Sequence, residues 1–401
     1  MPSQPPPGEP APVDGALPEQ AIAELSGTPL GAYVHVPFCR TRCGYCDFNT
    51  YTPSELTGMS PHDHRSAVLS ELELAERVLG EGRPEIGTVF IGGGTPTMLP
   101  AAELVGLLTA LRERLGLAAD AEVTTEANPE SVDPAYLEEL RAGGFTRISL
   151  GMQSVVPHVL ATLERTHTPG RGLEAARWAV EAGFEHVSLD LIFGAPGESE
   201  ADWQASLDVV ADAPVDHVSA YSLIVEEGTR LALKVRKGEI AMPDDDALAT
   251  KYLMTEEFLV GLGFANYETS NWARPGGECR HNLAYWRGAN WWGFGPGAHS
   301  HLGGVRFWNR RHPRSYAAEL AEGRSPAQAR EVLGPEDRRI ERIMLELRLA
   351  EGLPLTVLTP QERGRARQVV SEGLAVRQGD RLVLTLRGRL LADGVVLRLL
   401  G

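Results

Sequence analysis

Six apolar, β-branched runs punctuate the first half of the chain, at 31–36, 87–91, 122–127, 146–151, 186–192 and 217–223. Between most of them lie stretches with helical spacing of apolar residues, at 64–80, 101–116, 134–143, 157–164, 171–183 and 200–212. Strand-like runs alternating with helical patterns predict βαβ units and a parallel sheet. Right-handed crossovers curl six such units into part of a TIM-like barrel, a partial (β/α)6 α/β fold. A closed eight-stranded barrel is disfavoured, because the pattern changes after the sixth strand. Chemistry in such folds collects at the C-terminal ends of the strands, so the residues that end each run are the first candidates.

The flanks read differently. Residues 1–28 open with Pro-Ser-Gln-Pro-Pro-Pro-Gly-Glu-Pro and show no apolar periodicity before a short helical pattern at Glu19–Leu25. The expectation there is a mostly disordered, proline-rich leader. Beyond about residue 300, residues 336–350 form an amphipathic helical pattern through Ile340, Ile343, Met344 and Leu347. A second helix over Ala366–Leu374, a strand over Leu382–Leu386 and a helical Arg389–Leu399 suggest a small winged-helix-like domain. That likeness alone says nothing of DNA binding. The expected division is a leader at 1–28, a core at 29–305 and a C-terminal domain at 306–401.

Composition narrows the function classes. With 43% hydrophobic and 23% charged residues the 401-residue chain is an ordinary globular one. A net charge of −16 argues against non-specific nucleic-acid binding, which needs a basic face. It leaves room for a local basic pocket that takes an anionic ligand. No apolar run reaches the roughly 18 residues of a membrane span. The N-terminus carries no signal-peptide pattern, so a cytoplasmic protein is expected, peripheral at a membrane at most.

Three of the four cysteines fall in Cys39-Arg-Thr-Arg-Cys43-Gly-Tyr-Cys46, directly after the first strand. Clustered thiols on one loop are not a disulfide framework and call for a reducing compartment. Three thiolates can converge on one metal or cluster and leave a fourth position open. A structural zinc site usually adds a second ligand pair, and none follows. Spacing alone favours an iron–sulfur cluster over zinc without excluding it.

This CxxxCxxC spacing, with Tyr45 before the last cysteine, resembles the signature of radical S-adenosylmethionine (SAM) proteins. The longer string Tyr33-Val-His-Val-Pro-Phe-Cys39 through Cys46-Asp-Phe48 is similar to one group within them. That group contains the oxygen-independent coproporphyrinogen III dehydrogenases and the related heme chaperones (HemN/HemW). The resemblance runs from about Gly31 to about His301 and continues more weakly to the C-terminus. It implies a [4Fe–4S] cluster on Cys39, Cys43 and Cys46, with SAM on the fourth iron.

The same resemblance gives meaning to strand-end residues that are weak signals alone. Gly92-Gly93-Gly94-Thr95-Pro-Thr97 would ordinarily be a tight strand–helix turn, since glycine permits positive φ and close backbone approach. In the family it receives the SAM amino group, which assigns Gly93, Gly94 and Thr95. Glu126, otherwise a salt-bridged barrel-rim residue, becomes a SAM-binding acid. Gln153 and Ser222 follow the fourth and sixth strands. Arg165, otherwise a surface arginine, becomes the partner of the SAM carboxylate. Asp190 lies inside an apolar strand, where a carboxylate is costly unless paired or functional, and falls on the ribose or adenine side. Tyr33 and Tyr45 join the SAM set. No residue is assigned a catalytic role outright. His35, otherwise a core histidine, is the candidate polar contact near the reaction centre.

A second block, Glu278-Cys-Arg-His281-Asn282-Leu-Ala-Tyr285-Trp286 through Trp291-Trp292, holds three of the seven tryptophans, and Trp272 lies just before it. The bland reading is a packed aromatic lid with His281 merely hydrogen-bonded. Histidine is also a common axial ligand of heme iron, and aromatic walls suit a flat ring. The segment resembles the HNxxYW motif of the heme chaperones, which implies heme contacts at His281, Asn282, Tyr285 and Trp286. Cys279 stays undecided between a buried thiol and a second heme contact. In the dehydrogenases a further cysteine stands two residues after the third, and here that position is Phe48. They also carry a longer N-terminal extension. The expectation is therefore a heme chaperone that passes heme to an acceptor protein, as a monomer or a cluster-dependent homodimer. SAM turnover is left open. The alternative is coproporphyrinogen III dehydrogenation, a radical oxidative decarboxylation of two propionates to vinyl groups. A zinc-dependent interaction module is a third class.

Overall fold

The computed structural model describes residues 8–56 and 59–401. Its strands in chain order are β1 (Glu9–Pro10), β2 (Leu30–Val36), β3 (Ile86–Gly93), β4 (Leu117–Ala127), β5 (Arg147–Gln153), β6 (His186–Phe193), β7 (His217–Ser222), β8 (Ala265–Glu268), β9 (Asn271–Ala273), β10 (Asn290–Phe294), β11 (His299–Leu302), β12 (Val305–Asn309), β13 (Ala327–Val332), β14 (Leu353–Pro354), β15 (Ala375–Gln378) and β16 (Arg381–Leu384). Strands β2 to β7 pair in sequence order, all parallel. Helices Pro61–Leu79, Ala101–Leu115, Pro134–Ala142, Pro157–Thr162, Arg171–Glu181 and Glu200–Asp212 fill the connections, within a few residues of the predicted spans.

Capping explains several of these starts. Ser60 and Ser199 each form a capping box, with Asp63 and Asp202 three residues on. Asp133 caps Pro134–Ala142, where proline at the first helical position has no N–H to leave unpaired.

The sheet extends beyond the six predicted strands. β10 adds in parallel to β2, with Trp291 opposite Gly31 and Phe294 opposite Val34. β11, β12, β13 and β1 follow antiparallel on that side, and β9 and β8 cover β7 on the other. The aromatic stretch Asn290–Phe294 is thus a sheet strand rather than a lid, with Trp292 and Phe294 fully in the core. Its short apolar run between glycines has no amphipathic period, so periodicity alone does not distinguish the two.

Two boundaries move. The expected break at 305/306 falls inside the β11–β12 hairpin region, and the sheet continues to Val332. A separate core begins only with Ile343 and Leu347 and closes on Leu353, Leu374, Leu382 and Val395 around the sheet β14–β16–β15. The leader from Gly8 onward is ordered against the core. β1 pairs with β13, and Ala21 and Leu25 of helix Glu19–Leu25 are buried. Its prolines favour disorder, but two apolar side chains on one helical face, the β1–β13 pairing and the ion pairs Glu9–Arg330 and Glu24–Arg338 dock it. Residues 1–7 lie outside the described residues.

Candidate functional site

The barrel strands alternate until their C-terminal ends. On β5, Ile148 and Leu150 are fully buried away from the cavity, while Arg147, Ser149 and Gly151 line it, and after an irregularity Met152 and Gln153 both border it. On β6 the inward set is Ser188, Asp190 and Ile192, and on β7 it is His217, Ser219 and Tyr221. A parallel barrel normally fills its centre with branched apolar side chains. Here the inward rows are polar, and a cavity of about 1570 Å³ runs from the cysteine loop down between the strands. That exceeds the space one drug-sized ligand fills, roughly 300–1,000 Å³.

The cysteine loop sits over the strand ends. Cys39 N donates to Tyr51 O at 3.0 Å, and Gly44 N to Leu163 O at 3.1 Å, which ties the loop at both sides. Cys39, Cys43 and Cys46 are all free thiols lining the cavity. Burial raises the Cys39 thiol, against a contact from Thr95 Oγ1, and pushes Cys46 up to about 11. A bound cation is what turns such thiols into thiolates. Among the described residues no three His, Cys, Asp or Glu groups converge on a single ion. A cluster does not require that, because each thiolate binds its own iron.

The SAM-assigned residues meet at the same mouth. Gly94 N donates to Val36 O and Thr95 N to Phe38 O, both at 2.8 Å. A Cβ on Gly93 would lie 2.5 Å from the His35 ring, and one on Gly94 2.5 Å from Phe38 O. Only bare backbone fits between the cysteine loop and the end of β3, and Gly93 also holds φ +114°. Glu126 has no ion-pair partner among the described residues. It accepts from Gly93 N at 2.9 Å, and burial pushes its carboxyl up to about 7. Asp190 accepts from Ser149 Oγ at 2.8 Å and Ser188 Oγ at 3.2 Å. Burial raises its carboxyl, with the serines opposing.

Arg165 is no surface arginine. Its Nη2 donates to Gly151 O at 2.8 Å, its Nη1 lies 3.5 Å from Cys43 Sγ, and its buried Nε has no partner among the described residues. It follows helix Pro157–Thr162 rather than a strand, so the strand-end rule does not hold for every site residue. Gln153 takes φ 68°, a left-handed conformation costly for a residue with a Cβ and often found at functional sites. Tyr33, Tyr45 and Ser222 line the same cavity. Three thiols, a glycine cradle and an under-satisfied guanidinium fit a cluster with an amino-acid-bearing ligand.

His35 is buried behind this wall. Its Nδ1 bonds Tyr33 Oη and its Nε2 bonds Asn49 O, both at 2.9 Å. Burial lowers its pKa to about 4, so the ring is neutral and acts as a spacer. Asn49, absent from the predicted set, ties the loop to Pro296 O and Arg311 O at 2.9 and 2.8 Å.

The HNxxYW segment lies at the opposite end. Helix Arg280–Trp286 closes the floor of the barrel, and its four residues divide. His281 is 1% exposed, with Nδ1 on Thr88 Oγ1 at 2.8 Å, Nε2 on Tyr285 Oη at 2.9 Å and its ring stacked on Phe90. Both ring nitrogens are engaged, as the bland reading expects. Asn282 and Tyr285 line the cavity, whereas Trp286 lies outside it against Glu268. Cys279 is a buried thiol 3.5 Å from Glu122, and burial keeps it protonated.

Four of the inward residues, Arg147, Ser149, His217 and Ser219, carry no motif and escape the sequence reading. Their signal is the period-2 polar alternation, as in Arg147-Ile-Ser149-Leu-Gly151, within strands that a parallel sheet should make continuously apolar.

A partial barrel carrying a three-thiol loop over a polar interior defines a radical SAM protein, and residues 33–210 match the family model of the Radical SAM superfamily. Over 380 residues the chain is 55% identical to the heme chaperone HemW of Mycobacterium tuberculosis (strain H37Rv), spanning 95% of this chain and 97% of that protein. The heme chaperone HemW of Escherichia coli (strain K12) is 36% identical over 332 residues, 81% of this chain and 84% of that one. The chain belongs to the HemW family. Among solved structures, coproporphyrinogen III oxidase (HemN) from Escherichia coli superposes with a TM-score of 0.80 at 23% identity, covering 95% of this chain and 92% of that one. That likeness concerns the fold.

Proposed function

We propose that this protein is a heme chaperone: it binds heme, carries a [4Fe–4S] cluster with SAM, and passes heme to an acceptor protein. The observation that carries the reading is the 55% identity, over 95% of the chain, to a protein named for that role. Cys39, Cys43 and Cys46 would hold the cluster. Gly93, Gly94, Thr95, Glu126, Gln153, Arg165 and Asp190 would hold SAM. When bound, the cluster supplies one-electron reducing chemistry next to SAM. The chain's own residues keep that pair at the mouth: Arg165 between Cys43 and Gly151, Glu126 on Gly93, and His35 behind the glycines.

Phe48 supports the chaperone reading. It is 51% exposed, lines the cavity, and stands where the resemblance places a further cysteine in the dehydrogenases. The near-complete SAM pocket favours the second reading, coproporphyrinogen III dehydrogenation. For His281 to bind heme iron, its bond to Tyr285 or Thr88 must open. No helix among the described residues is long and apolar enough to cross a membrane. We place the protein in the cytoplasm, at a membrane only while delivering heme.

Anaerobically reconstituted protein should take up iron and sulfide, and Cys43→Ala should lose the cluster absorption. Hemin should give a Soret band that weakens in His281→Ala; an unchanged spectrum removes that ligand assignment. Size-exclusion with and without the cluster separates monomer from dimer. Offering coproporphyrinogen III, SAM and a reductant decides between the two readings: protoporphyrinogen IX formed over many turnovers overturns the chaperone.

A further inference from the structure

Two floor residues that line the cavity, Arg147 and its cross-strand partner Thr124, carry buried side-chain atoms without a hydrogen-bond partner among the described residues, and of the two only Arg147 is charged. It opens β5, and its side chain is 2% exposed. Nε donates to Glu122 Oε2 at 3.2 Å, and Nη2 donates to Gly277 O at 2.8 Å and Glu278 O at 3.1 Å. Nη1 is buried, lacks a partner among the described residues, and belongs to a side chain that lines the cavity. A guanidinium has five N–H donors, and both on Nη1 are unspent. Leaving them so deep inside is costly, and such a group calls for an explanation.

Glu122 pairs with Arg147 through Nε and does not reach Nη1. Its oxygens also accept from Arg280 N and His281 N, both at 3.0 Å, and face Cys279 Sγ. His217, beside it on the floor, is held neutral by burial and by the charge of Arg147 itself. The floor therefore holds one ion pair whose guanidinium keeps both Nη1 donors unspent.

Depth separates this group from the SAM-assigned residues. Arg147 pairs with His186, while Gly151 pairs with Asp190, four residues further along the same two strands. At about 3.3 Å per residue that is about 13 Å below the level of Asp190. A SAM molecule held at the strand ends does not need Arg147. Asn282 and Tyr285 of the HNxxYW segment line the same floor. The floor thus unites an unspent guanidinium with Cys279, Asn282 and Tyr285 of the segment to which the heme reading points.

We propose that Arg147 is a carboxylate-binding subsite, in which Nη1 receives one propionate of a tetrapyrrole that enters the barrel interior. This rests on the heme reading above. It makes heme binding an interior event, with Asn282 and Tyr285 beside the propionate.

The test compares hemin with hemin dimethyl ester by Soret titration of the full-length, cluster-loaded protein with SAM. The acid should bind roughly ten- to a hundredfold more tightly than the ester, the worth of a charge-assisted hydrogen bond. Arg147→Gln should bring that ratio close to one. A purely structural arginine would weaken both ligands equally and leave the ratio intact, and that result overturns the proposal. So do equal affinities in the unmodified protein, which needs no variant to fold. If Arg147→Gln is unfolded by circular dichroism, Arg147→Lys replaces it and should lower the ratio only partly. SAM affinity by equilibrium dialysis should not change; its loss with an unchanged ratio reassigns Nη1 to the SAM carboxylate and overturns the propionate assignment. Absence of any Soret band is the separate result that refutes the heme reading itself.

Discussion

Gly94 shows how tightly the mouth of the cavity is built at the scale of single residues. Its Cβ would meet Phe38 O at 2.5 Å and Val36 O at 3.0 Å, all backbone, with no flexible side chain able to yield. Gly94→Ala should therefore push the cysteine loop off the end of β3 and cost about 1–3 kcal/mol, the range for overpacking. Urea midpoints and iron and sulfide per chain measure both effects, and unchanged iron content would show that the cradle is not needed. The reason for Gly94 is not local. The triple glycine is visible in the sequence, but the carbonyls it must avoid belong to Val36 and Phe38, more than fifty residues earlier. The same holds for Arg165 and Arg147, whose partners lie on Gly151 and on Gly277 and Glu278.

Among elements, helix Pro61–Leu79 acts as a clamp through Glu71. This carboxylate is 1% exposed and accepts from Tyr316 Oη at 2.5 Å, Asn309 Nδ2 at 2.7 Å and Gly295 N at 2.8 Å. It thereby joins the helix to β12, to the loop after β10 and to helix Pro313–Ala321. Burial pushes its carboxyl from 4.5 up to about 7 despite those donors. A raised carboxyl pKa means that the folded state holds the proton longer than the unfolded state does. Its stabilisation is complete below about pH 4.5 and is lost as pH rises through about 7. The stability of the native protein relative to Glu71→Gln should fall across that window by on the order of 3 kcal/mol. Urea denaturation of both proteins from pH 4.5 to 8 gives the difference, and a flat difference would mean that Glu71 is ionised throughout. Glu126 titrates in the same range, so only the paired comparison isolates Glu71. The helices and six parallel strands were legible because each repeats a local period. The strand β10 was not, since its place beside β2 depends on chain more than 250 residues away.

For the whole molecule the question is how the C-terminal unit is held. Arg389 forms a two-pronged pair with Glu256, at 3.1 and 2.5 Å, and Glu256 also accepts from Trp272 Nε1 at 2.7 Å. Both charged side chains are mostly buried, 19% and 16% exposed, so the pair is only weakly screened by solvent. Arg389→Ala leaves Glu256 half-satisfied and should cost about 1–3 kcal/mol at that interface. Hydrogen exchange should rise over 335–400 while the barrel strands stay protected; a uniform rise would mean that the two cores unfold together. The second core itself was predicted from its helix and strand periods. Its beginning was not, because the β11–β13 sheet carries the larger core past residue 305.

The sequence by itself determined the βα period, the three-thiol loop and the glycine run and polar residues that end the barrel strands. Each is written in neighbouring residues: a periodicity, a spacing, a run of glycines. Only the tertiary structure decided that the barrel interior is a polar chamber and that the HNxxYW helix plugs its floor. Only it turned His281 inward with both nitrogens bonded and left one face of the Arg147 guanidinium unspent. Those outcomes depend on which strands become neighbours and which carbonyls meet a buried donor, and contacts between distant segments leave no local period to read.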